Sequence, residues 1–204
     1  MRRLLPLLLL FGAAPPEPSV VRVRLTTAVG AITLALDARH APKSTANFLL
    51  YVDDGRFEGA TFFRAVRSKV RAGGFIEGGI GTDPRRVLPP VPLEPTSRTG
   101  LHHTDGAVSM ARFDPPGSAT GNFSIMIGPY PGLDARPGSP GYAVFARVIA
   151  GMDVVKRILA QPTAGGSGTT AGQSLLRPII IVKAERLDGT AKPTGRPKPW
   201  TLGL

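Results

Sequence analysis

The chain of 204 residues contains no cysteine. Disulfides, thiolate nucleophiles, thiolate-bound zinc and iron–sulfur clusters are therefore excluded, while an oxidising compartment stays open, because nothing there requires a bridge. Histidine is scarce as well, and His40, His102 and His103 do not form an HExxH pair. Acidic residues are outnumbered, 14 against 25 basic, for a formal net charge of +11. Such a balance suggests nucleic acid or an anionic surface as partner, yet the Lys and Arg residues are scattered, without a basic helix or repeated aromatic interleaving. Solubilising charge is the better reading, with attraction to acidic envelope components second and no nucleic-acid partner expected. Also missing are a GxSxG elbow, a Walker loop and a dinucleotide fingerprint placed after a strand. Nucleophilic, metal and cofactor chemistry has no support, and no cofactor or metal is expected.

The chain has no long apolar run either. Its most apolar stretch, MRRLLPLLLLFGAA over residues 1–14, is too short for a membrane span. With Arg2 and Arg3 in front and small residues behind, it has the pattern of a secretory signal peptide, which predicts export, with an uncleaved tether as the alternative. Residues 15–19 follow as a Pro-rich linker.

Turn chemistry, by contrast, is abundant. The 25 glycines and 21 prolines, set between short apolar runs at 42% hydrophobic content, favour one β-rich domain over a helical bundle. Val20–Thr27 and Gly30–Asp37 alternate at the strand period and read as a hairpin. Ala41–Asp54 changes to helical spacing, with Pro42 in its first turn and Gly55 ending it. Val87–Pro95 is too rich in proline to be a central strand. Three further short strands fall at Gly106–Arg112, Asn122–Ile127 and Tyr142–Ile149, then a helix at Gly151–Ala160. GGSGTTAGQ (residues 165–173) reads as a flexible loop, and Pro178–Leu187 begins as a buried strand. Residues 188–204 form a basic Pro/Gly-rich tail, disordered or surface-bound. The domain thus spans residues 20–187, and its strand count with two helices predicts a mainly β fold, a barrel capped at its ends by helices.

One stretch stands out for chemistry. Thr61–Gly81, TFFRAVRSKVRAGGFIEGGIG, sets Arg64 in an aromatic and β-branched run and closes on the compact turn sequence Glu77-Gly78-Gly79. TFFRAV, FIEGG, GAVSMAR, GSATGNFSI and GYAVFARVIAGMDVVKRI then follow in the order found in cyclophilins, and the chain resembles that family, in particular its exported bacterial members, from Val20 to Leu187. The resemblance implies a closed antiparallel barrel of about eight strands with two α-helices. It also implies peptidyl-prolyl cis-trans isomerase activity on proline-containing peptides and unfolded client proteins, by a monomeric enzyme in the periplasm.

By the same resemblance Arg64 is the catalytic donor, Phe75 and Leu133 line a proline slot, Ala111 and Arg112 run beside the substrate backbone, and Tyr142 stands at the pocket edge. Asn122 replaces a family glutamine that contacts the substrate chain. Glu77 stands where relatives have glutamine, and Ser124 where they usually have an aromatic pocket floor. Gly74 follows a longer turn and occupies a common phenylalanine position. Glu77 either orients Arg64 or competes for its donors. Together with Ser124 it motivates an alternative reading, a proline-peptide-binding module or chaperone with weak or lost turnover.

Overall fold

In a computed structural model of the chain, residues 18–201 are described, Lys69 and Arg71 excepted. The leader and most of the linker read above lie outside the described residues. The strands are β1 (Val20–Thr27), β2 (Gly30–Asp37), β3 (Thr61–Arg67), β4 (Gly74–Gly79), β5 (Ala107–Met110), β6 (Asn122–Ile127), β7 (Val144–Ala150), β8 (Thr163–Ala164) and β9 (Ser174–Arg186). Helices α1 (Pro42–Asp53) and α3 (Met152–Leu159) are the two expected, and α2 (Thr96–Thr99) is a single turn.

Alternation drives closure. Val21, Val23 and Leu25 of β1 point inward opposite Leu36, Leu34 and Ile32 of β2, all fully buried, while the residues between them face outward. Neighbouring strands run in the order β1, β2, β7, β5, β6, β4, β3, β9, and β9 pairs back to β1. The ring is a closed antiparallel barrel of eight strands, with the two-residue β8 attached outside it to β9. Closure removes the free edges that an open sheet of short strands would leave.

Both longer helices add to the barrel core. Phe48 of α1 packs its ring 5.3 Å from Phe123 and 5.2 Å from Phe145, and α3 buries Val155 and Ile158 completely. At its N-terminus α1 begins at Pro42 and has no side-chain cap of its own. The Pro-rich crossing provides one from a distance. Glu94 accepts from the backbone N–H groups of Lys43 (3.0 Å) and Ser44 (2.8 Å) and from the Ser44 hydroxyl (2.7 Å). This carboxylate satisfies orphan donors and sits at the positive end of the helix dipole.

β9 starts four residues before the expected Pro178, at Ser174. Its pairing with β3 jumps from Ile179, opposite Phe62, to Ser174, opposite Arg64. The irregularity takes up Pro178, which lacks a ladder donor, so the strand continues through a position where regular pairing would stop.

The described part of the tail lies on the barrel. Thr194 donates to Asp54 through its backbone N–H (2.6 Å) and hydroxyl (2.5 Å), and the buried Trp200 ring lies under the guanidinium groups of Arg56 (4.7 Å) and Arg86 (5.3 Å). No helix among the described residues is long and apolar enough to cross a membrane.

Candidate functional site

The position of Arg64 depends on a fault in the strand period. The inward residues of β3 are Phe62 and Ala65, three apart instead of two or four. Strict alternation from Phe62 would bury Arg64 inside the barrel. Instead, Phe62 pairs with Gly78 and Arg64 with Glu77, leaving Phe63 as the extra residue of a bulge. The bulge resets the phase and turns Arg64 to the outer face. Phe62 in turn fixes Gly78, where a Cβ would lie 2.5 Å from the Phe62 ring.

From Arg64 a polar row crosses the outside of four neighbouring strands. Arg64 is opposite Glu77, Glu77 opposite Ser124, and Ser124 opposite Ser109. One step along, Phe75 is opposite Met126, whose buried side chain packs with Ala107, Val144 and Leu133. The Phe75 ring also meets Tyr130 edge to face at 5.8 Å. Polar and apolar rows meet in a concave cavity of about 260 Å³, lined by Arg64, Phe75, Glu77, Ser109, Ala111, Arg112, Ser124, Met126, Leu133 and Tyr142. Larger cavities lie elsewhere on the surface; this one joins an apolar slot to the Arg64 guanidinium.

Arg64 is about a quarter exposed and tightly bonded. Its Nη1–H donates to Glu77 Oε2 at 2.8 Å, and its Nε–H and Nη2–H both donate to Gln173 Oε1, at 2.8 and 2.6 Å. The guanidinium carbon lies 5.5 Å from the Phe75 ring centre, so the charge stands beside the apolar slot. Arg112 has a different task. Its guanidinium donates to the carbonyls of Gly141, Phe113 and Asp114 and stacks at 4.8 Å on Tyr142, which ties the far wall together.

The Leu133 wall is pinned from behind. Asp134 accepts from His103 through the ring Nδ1 (2.6 Å) and the backbone N–H (3.1 Å), and its second oxygen lies 3.1 Å from His102 Nδ1. Burial tends to raise the Asp134 pKa, but these hydrogen bonds outweigh it and hold the carboxyl below its usual range. Burial pushes His103 the other way, below the ordinary imidazole value, against the pull of Asp134.

Eight of the nine residues proposed from sequence line this cavity. Asn122 does not. Its amide accepts from the Gly81 N–H (2.8 Å) and donates to the Gly81 carbonyl (2.9 Å), fastening the turn after β4. Three residues escaped the sequence reading. Ser109 and Met126 carry a signal, since each lies two positions from a residue of known facing on a strand. Gln173 carries none, being 109 residues from Arg64 in a glycine-rich loop.

Comparison with known proteins agrees with this geometry. The family described as cyclophilin type peptidyl-prolyl cis-trans isomerase/CLD matches residues 22–186. Peptidyl-prolyl cis-trans isomerase A of Dickeya dadantii is 35% identical over 148 residues, covering 72% of this chain and 76% of that protein. Peptidyl-prolyl cis-trans isomerase cyp18 of Streptomyces antibioticus is 34% identical over 168 residues, covering 81% and 98%. Among solved structures, a cyclophilin type isomerase of Cryptosporidium parvum superposes with a TM-score of 0.65 at 21% identity, covering 84% of this chain and 99% of that one, and so shares the fold. A match that runs from β1 to the end of β9, over a barrel of the same architecture, places the chain in the cyclophilin-type peptidyl-prolyl cis-trans isomerase family.

Proposed function

We propose that this protein accelerates cis–trans rotation about Xaa-Pro bonds in peptides and folding chains, with Arg64 as its catalytic residue. The observation that carries the reading is a fixed guanidinium beside the apolar slot of Phe75, Met126 and Leu133. Rotation breaks amide resonance over a barrier of roughly 18–20 kcal/mol and makes no new covalent bond. It needs no nucleophile and no metal. The slot holds the proline ring while the rest of the bond turns. At the twisted transition state the proline nitrogen becomes pyramidal and regains a lone pair, to which Arg64 donates. Neither planar isomer offers that lone pair, so the donor stabilises the transition state selectively.

Ala111, Arg112 and Tyr142 form the wall along which the substrate backbone runs, and Glu77 holds Arg64 in place. Because arginine stays protonated throughout the neutral range, activity is expected to be nearly flat there. The substrates are proline-containing peptides and unfolded client proteins, bound by a monomer. The leader pattern in residues 1–14 supports export, most simply to a periplasm, and the N-terminal sequence of the protein recovered from its host tests it.

The functional reading is tested by proline-limited refolding of a reporter protein. The full chain is expected to accelerate it, and Arg64→Ala to reduce kcat/KM by about 10²–10³, the usual cost of losing one preorganised donor. Full activity in a folded Arg64→Ala variant would refute the role.

A further inference from the structure

We infer that Gln173 is a positioning residue for the isomerase reaction, holding Arg64 so that its free donors face the slot. The inference rests on the functional reading above and assigns a task to a loop whose composition suggests only flexibility.

Arginine has five N–H donors, and the bonds to Gln173 and Glu77 take three, leaving two for the substrate. The bond to Glu77 alone leaves the guanidinium free to swing about that contact. Gln173 takes the Nε edge as well, so the plane of the group is defined from two sides.

Gln173 is itself fixed at every polar group. Its side-chain NH2 donates to the Thr169 carbonyl at 3.0 Å, which orients the amide with Oε1 toward Arg64. Its backbone N–H donates to the Thr170 carbonyl (3.1 Å), and its carbonyl accepts from Ala65 N–H (3.0 Å), next to Arg64 in β3. The loop behind it closes on itself, with Gly172 N–H on the Gly165 carbonyl (2.5 Å) and reciprocal Ser167–Thr170 bonds around a 3₁₀ turn at Gly168–Thr170. Loop and β3 thus form one hydrogen-bonded unit. A neutral acceptor on this edge fixes the guanidinium without adding a second countercharge to that of Glu77.

The test uses the full chain as wild type, Gln173→Met and Gln173→Glu. Glutamine to methionine keeps length and bulk but removes the acceptor, whereas glutamate restores an acceptor. Two readouts are taken: kcat and KM on an Xaa-Pro peptide, and the arginine Nε–Hε resonances, with that of Arg64 assigned by its loss in Arg64→Ala. In the wild type the Arg64 Nε–Hε is expected to be protected from solvent exchange. In Gln173→Met the protection is expected to disappear and kcat to fall about tenfold while KM stays within about twofold. Gln173→Glu is expected to recover the protection but only part of kcat, because it restores the acceptor and adds a second countercharge. An unchanged kcat in Gln173→Met, a rise in KM alone, or an unprotected Arg64 Nε–Hε in the wild type would each overturn the inference. The last needs no Gln173 variant to fold, only Arg64→Ala for the assignment. An inactive wild type would overturn the isomerase reading and this inference together, whereas an active wild type with an unaffected Gln173→Met overturns this inference alone.

Discussion

At the scale of single residues, Glu77 is the most informative departure from the family pattern. It forms an ion pair with Arg64 at 2.8 Å in which both side chains are mostly covered, so the attraction is only partly screened. In the proposed reaction the carboxylate both orients the guanidinium and withdraws part of its pull from the substrate. Glu77→Gln keeps an acceptor and removes the countercharge, so kcat/KM on an Xaa-Pro peptide is expected to rise severalfold. A fall in that value would show that the charge itself is needed. Arg64 and Glu77 were legible in sequence because a short motif carries them. Met126 was legible in principle, since it lies on the same face of β6 as Ser124. Asn122 lies off the cavity lining because its position at the start of β6 directs its amide to the Gly81 turn, which no strand period reveals.

At the scale of elements, alternation and turn residues located six of the barrel strands and the two longer helices, but β3 and β4 were not read as strands, and Glu77-Gly78-Gly79, read as a turn, ends β4. Two further features lay beyond such signals. One is the bulge at Phe63, which decides whether Arg64 faces the core or the site, and which exists only as a mismatch between β3 and β4. The other is the loop before β9, whose glycines and threonines have no periodicity, and whose order comes from its own hydrogen bonds.

The start of α1 depends in the same way on a partner far along the chain. Glu94 is 8% exposed and accepts three bonds from Lys43 and Ser44. Glu94→Ala is therefore expected to cost about 2 kcal/mol of stability, with little change in isomerase activity per folded molecule. Denaturant unfolding measures the first and the refolding assay the second. An unchanged unfolding midpoint would show that water replaces this cap without loss.

At the scale of the whole molecule, the barrel was foreseeable because its strands alternate, whereas for the tail the sequence left two readings open, disordered or surface-bound. A basic segment rich in proline and glycine has the same composition whether free or docked. What docks it is a set of long-range partners, Asp54 for Thr194 and two guanidinium groups for Trp200.

Charge pairing at this scale also sets the response to acid. Asp83, hydrogen-bonded by Arg85, and Asp188, hydrogen-bonded by Arg22, are both lowered from 3.8 to about 2. For a carboxyl depressed by folding, stability is fully present above the unfolded value and is lost as pH falls through the folded one. The melting temperature is therefore expected to decline as pH falls from about 4 to about 2, and Asp83→Asn with Asp188→Asn to make that decline shallower. Both pairs lie at the surface with their arginines more than half exposed, so the difference is small, and an identical slope in the double variant would remove these pairs from the account.

The central claim is that Arg64 acts on the rotating bond and that the slot provides the grip. Exchange spectroscopy on a proline peptide, with wild type and Arg64→Ala at matched saturation, separates the two directly. The account predicts that the peptide still binds the variant while its cis–trans exchange falls back by about 10²–10³, toward the uncatalysed rate. Exchange undiminished in the bound variant would contradict it.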